Sequence, residues 1–66
     1  MNASQLQLRL VSPSGKSETI AWCANDCAVV AKMLRQSATT FLGKTSKVDY
    51  ANLKATCPQG WSIVVQ

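Results

Sequence analysis

Polar and apolar residues alternate strictly from Gln5 to Leu10. A period of two is the pattern of a half-buried strand, with Leu6, Leu8 and Leu10 facing inward and Gln5, Gln7 and Arg9 outward. Ser12-Pro13-Ser14-Gly15 follows. Its proline presets φ at the second turn position and its glycine accepts a left-handed conformation at the fourth, which predicts a type I turn closed by a bulge. Ser17 to Trp22 then returns as the second strand, rich in β-branched and aromatic residues, with Ile20 and Trp22 as its inward pair. Residues 5 to 22 thus read as a hairpin.

Beyond Trp22 the apolar period lengthens. Cys27, Val30, Ala31, Leu34, Ala38 and Phe41 recur at spacings of three and four, which places them on one face of a helix running from Asp26 to Phe41. Asn25 or Asp26 can cap its first free amides, Gly43 supplies the stop, and Lys32, Arg35 and Gln36 occupy the wet face. Thr39 and Thr40 lower the helix propensity near the end, so the last turn is expected to fray.

Residues 48 to 56 read in two ways. Ala51, Leu53, Lys54 and Ala55 favour a short helix, with Asp49 as N-cap and Val48 stapled onto Leu53. The rival is a further strand joined through Cys57-Pro58-Gln59-Gly60, whose proline and glycine repeat the pattern of the first turn. The helix is the preferred reading. Trp61 to Val65 ends the chain as a strand.

These elements predict a single small α+β domain over residues 1–66. Its sheet has three strands in the order 2-1-3, the last lying parallel to the first, and the long helix covers one face. In the order of its elements the chain resembles a shortened β-grasp, or ubiquitin-like, domain. The resemblance rests on the Ser14-Gly15-Lys16-Ser17 hairpin tip, the helix after it, and Val48-Asp49-Tyr50-Ala51-Asn52-Leu53 before a terminal strand. That family's further strand between two helices and its C-terminal Gly-Gly have no counterpart here, so the likeness is one of architecture and implies neither conjugation nor sulfur transfer.

Composition narrows the function. With 66 residues the chain has little material for a deep pocket, and with no histidine it lacks the commonest general base and metal ligand. Seven Lys and Arg against three Asp and Glu give a net charge of +4. The first five residues have neither a basic start nor an apolar run, which argues against a secretory signal, and no stretch is long enough to span a membrane. A cytoplasmic location is the expectation. Three cysteines, an odd number, then read as free thiols.

Two short motifs fail on context. Gly15-Lys16-Ser17 and Gly43-Lys44-Thr45 both look like the end of a phosphate-binding loop, but that loop's first glycine would fall at Leu10 or Ala38, and neither site leads from a strand directly into a helix. Cys23, Cys27 and Cys57 would make only three zinc ligands, and no histidine is available as the fourth. Cys27 near a helix start lacks a base and has Asp26 beside it. Core thiols are therefore the reading for the cysteines, and no cofactor or metal is expected. Trp22, Phe41 and Trp61 are assigned to the core, with Tyr50 partly exposed and a candidate contact for a partner.

No acid–base pair can be assembled, so an enzyme is not expected. The chain reads as a non-enzymatic binding module whose partner is a protein. A regulator or inhibitor of the kind phages and mobile elements encode fits its size. The second strand would offer a free edge through Thr19 and Ala21, to a partner strand or to a second copy in a homodimer. The competing reading is a nucleic-acid binder that contacts phosphates through Lys16, Arg35, Lys44 and Lys47.

Overall fold

A computed structural model describes residues 5–66. The leading residues 1–4, on which the expectation of no secretory signal rests, lie outside that range. The chain forms β1 (Gln5–Val11), β2 (Ser17–Ala24), α1 (Cys27–Ser37), a π-helical turn (Ala38–Leu42), β3 (Lys47–Asp49), β4 (Lys54–Thr56) and β5 (Ser62–Val65). All five strands join one antiparallel sheet in the order β2-β1-β5-β4-β3. The three-stranded 2-1-3 sheet expected from the sequence is therefore corrected: β5 does lie beside β1, but antiparallel to it. The extra hairpin β3–β4 reverses the chain once more before β5 enters the sheet, and with it goes the parallel pairing on which the β-grasp likeness depended.

The first hairpin follows its turn chemistry. Gly15 N–H donates to Ser12 O at 2.9 Å, Ser12 N–H donates to Lys16 O at 2.8 Å, and Gly15 has a φ of 92°. Cys57-Pro58-Gln59-Gly60 repeats it, with Gly60 N–H donating to Cys57 O and Cys57 N–H to Trp61 O, both at 3.1 Å. The two turns sit side by side at one end of the sheet. Gly60 has a φ of 94°, a conformation that favours glycine, and it lies against Pro13 at a distance where a Cβ would make ordinary contact, 3.4 Å from Pro13 Cβ and Cγ.

The register of β2 departs from strict alternation. Leu8 pairs with Ala21 but Arg9 with Thr19, which leaves Ile20 as the extra residue of a bulge. Ile20 and Ala21 both pack against the core, and Cys23, opposite Leu6, is buried. Trp22 consequently points to the other face. Of the expected inward pair Ile20 does pack on the core, while Trp22 gives way to Ala21 and Cys23, small side chains that admit the helix closely.

Helix α1 crosses the inner face of the sheet against β2, β5 and β4. Asp26 caps it, its Oδ1 accepting from Ala28 N–H at 2.9 Å and Val29 N–H at 3.2 Å. The buried stripe Val30, Leu34, Ala38 and Leu42 packs on Leu8, Ile63 and Ala55, all three of them fully buried. The last turn is not frayed but widened: Gly43 N–H donates to Ala38 O at 3.0 Å, five residues back. This wider turn keeps Leu42 in line with Ala38 and rotates Phe41 away from the core.

Residues 48 to 56 form a hairpin and not a helix. Val48 pairs with Ala55, and both face the core. Asp49 does cap, as its position suggests, but it caps a turn: Oδ1 accepts from Ala51 N–H at 3.1 Å and Asn52 N–H at 3.2 Å, and Oδ2 accepts from the Asn52 side chain at 2.8 Å. Leu53, at a φ of 52°, turns left-handed and ends any helical course.

The Asn52 side chain, joined by the Asn52 and Ala51 amides and the Lys54 charge, holds the Asp49 carboxyl below its ordinary 3.8. A depressed carboxyl stabilises the folded turn at all pH above the unfolded value, and that stabilisation is lost as pH falls through the folded value. The Ala51 and Asn52 amide resonances are accordingly expected to titrate with a midpoint below 3.8, and to stop titrating in Asp49→Asn, which keeps the Oδ1 acceptor. A midpoint at or above the ordinary value contradicts this assignment.

Candidate binding surface

The chain's two Trp, one Tyr and one Phe all stand on the surface. Trp22 is 59% exposed, Phe41 51%, Tyr50 49% and Trp61 40%. The assignment of Trp22, Phe41 and Trp61 to the core is thus overturned, while Tyr50 is exposed as expected. The core is filled instead by Leu8, Leu34 and Ile63 with small companions such as Ala38 and Ala55. Aromatic rings carry large apolar surface and are enriched where proteins meet partners. A small domain that excludes every one of its rings from the core presents them outward.

Two of these rings wall one groove. Phe41 and Trp61, with Leu10, Leu42, Cys57 and Gln59, enclose about 340 Å³ at the end of the helix. Each wall is placed by a device already described: the π turn swings Phe41 outward, and the second turn ends on Trp61. On its other side Trp61 borders a second hollow of about 410 Å³ that includes Lys16 and Glu18. The twin-turn end of the molecule is therefore a continuous, partly apolar, concave surface with charges at its rim.

The residues singled out from the sequence are distributed around the molecule. Arg35 and Tyr50 do come together, with Lys32, in a groove of about 620 Å³ between the helix and the β3–β4 turn. Lys16 lies beside Glu18 and Trp61, Lys47 beside Thr45, Thr56 and Pro58, and Lys44 in the turn before β3. The four basic residues of the nucleic-acid reading thus line separate parts of the surface.

Strand β2 is an edge strand, as the sequence suggests. Gln7 and Gln66 exchange both backbone bonds, at 3.0 and 2.9 Å, so the alternation of an antiparallel ladder turns the backbone of Leu8, and of its partner Ala21, toward the β1–β2 pair. Thr19 lies opposite Arg9 with its backbone on the free side. The bulge at Ile20 divides this edge, a common protection against strand addition. Cys23 is buried, Cys57 half-buried and Cys27 exposed, all as free thiols, so the core-thiol reading holds in full only for Cys23. Among the described residues no three His, Cys, Asp or Glu side chains are placed to hold a metal ion. No helix among them is long and apolar enough to cross a membrane.

The outer face of the sheet, opposite the helix, carries what the sequence reading overlooked. The register places Thr19, Arg9, Val64, Lys54 and Asp49 in one row across all five strands. Ser17, Val11, Ser62, Thr56 and Lys47 form the next row, and Trp22 and Gln7 stand on the far side of the first. The period-two pattern already put Arg9 outward; the bulge that joins Trp22 to it has no signature in the sequence.

Comparison with known proteins returns no matching family model, no matching curated protein and no matching solved structure.

Proposed function

We propose that this protein is a non-enzymatic module that binds a protein partner through the groove between Phe41 and Trp61, and acts as a regulator or inhibitor by covering the surface it binds. The observation that carries this reading is the exposure of every aromatic ring, with two of them facing one concavity. Rigid aromatic walls lose little side-chain entropy on binding and exclude water around an inserted apolar group, which is how the strongest interface contacts are built. Lys16 and Glu18, in the adjoining hollow that Trp61 also borders, fit a polar rim.

The test is site-specific photo-crosslinking in the source cells. A photoreactive residue at Gln59, on the groove, is expected to capture one discrete protein, and the same residue at Gln36, in the separate groove beside Tyr50, is not. Phe41→Ala combined with Trp61→Ala should abolish the product while the domain stays folded. Each truncation is expected to cost about 1 kcal/mol, far less than the ~3–5 kcal/mol of a buried aromatic, and thermal melts check this. Equal capture from both positions, or capture that survives the double substitution, contradicts the groove reading.

A further inference from the structure

We propose that the outer face of the sheet is a second binding site, for an unpaired nucleic-acid strand. Arg9, Lys54 and Lys47 share this face with Asp49 as the acidic residue in their rows, so the face is positive. Asp49 is moreover turned into its own loop, where both carboxylate oxygens are taken by Ala51 and Asn52. Arg9 and Lys54 flank Val64 two strands apart, a separation of about 10 Å that a flexible phosphodiester backbone can span.

Arg9 is prepared for such a ligand. Its Nη1 donates to Gln7 Oε1 at 3.2 Å and to Thr19 Oγ1 at 3.0 Å, and its Nη2 donates to Ser17 Oγ at 2.9 Å. All three partners are neutral, so among the described residues the guanidinium is held in place with its charge uncompensated and part of its donor fork free. Trp22, 59% exposed on the same face, stands beside Gln7 and offers a plane on which a base can stack. An aromatic plane beside ordered cations on a bare sheet suits splayed bases with their phosphates. A duplex fits poorly, because five strands at about 4.8 Å spacing are wider than the ~12 Å major groove. This site uses neither Phe41 nor Trp61, so it stands or falls independently of the groove.

The test is fluorescence anisotropy with labelled twelve-nucleotide oligothymidine and oligouridine, titrated with the full chain at ~50 and ~200 mM salt. Saturable binding is expected at the lower salt and about twentyfold weaker binding at the higher, since three phosphate contacts on a single strand give a log–log slope near −2. Trp22→Ala should weaken binding about tenfold or more, and Trp22→Phe should restore most of it. Lys54→Gln should reduce the slope by about 0.7. Phe41→Ala should change nothing. The two oligonucleotides decide between DNA and RNA as the source of the strand. The proposal is overturned if neither binds at ~50 mM salt, if a duplex of equal length binds as tightly, or if a polyglutamate peptide of equal charge displaces the strand equally well, which would make the face a protein-binding one.

Discussion

Leu34→Ala is expected to remove about half or more of the domain's stability at 25 °C and to shift its urea midpoint down accordingly. Leu34 is fully buried at the centre of the helix stripe, between the sheet residues Leu8 and Ile63 on one side and its own helix on the other. Truncating a leucine in such a place costs ~2–5 kcal/mol, the spread reflecting how far the site can collapse. A chain of 66 residues has a total stability of about 3–10 kcal/mol, and small domains sit toward the lower end. The substitution therefore removes half of the stability or more. Urea titration followed by circular dichroism checks it, with Leu34→Met, which conserves volume, expected to cost less than about 1.5 kcal/mol. A loss below ~1 kcal/mol for the alanine variant would mean that the helix does not rest on the sheet at this point.

Gly43→Ala carries the next largest effect, for a different reason. Gly43 has φ 88° and ψ −176°, a conformation open essentially to glycine alone. A Cβ there meets no atom within 4 Å, so crowding contributes nothing and the whole cost is backbone strain, about 1–3 kcal/mol. In a domain of this size that corresponds to a drop in melting temperature of about 4–8 °C per kcal/mol. The strain acts on the residue whose N–H closes the π turn, so relief by unwinding that turn would also displace Phe41. An unchanged melting temperature would show that Gly43 does not hold this conformation.

What the sequence made legible was local. The first hairpin, the cap at Asp26 and the stop at Gly43 all follow from turn and cap chemistry, which acts over a few residues and is written in side-chain type. Three features were decided at longer range. The Asp49 side chain accepts the same pair of amides in a helix cap and in a tight turn, and only the pairing of Val48 with Ala55 across that turn selects the strand. The bulge at Ile20 depends on which small side chains the helix admits, and it reversed Trp22. The π turn puts Leu42 in the core and Phe41 outside it, a placement that packing against the sheet fixes and residue type alone does not. Both errors concealed the candidate sites, because each moved a ring from the expected core to the surface.

Both surfaces require the aromatic rings to stand outside the core, and tryptophan emission measures this directly. In Trp61→Phe and Trp22→Phe, each retaining a single tryptophan, the native emission is expected to lie close to that of the urea-unfolded chain and to be readily quenched by acrylamide, with Trp22 the more accessible of the two. A blue-shifted native emission shielded from acrylamide, moving to the red on unfolding, would return either ring to the core and contradict the surfaces described above.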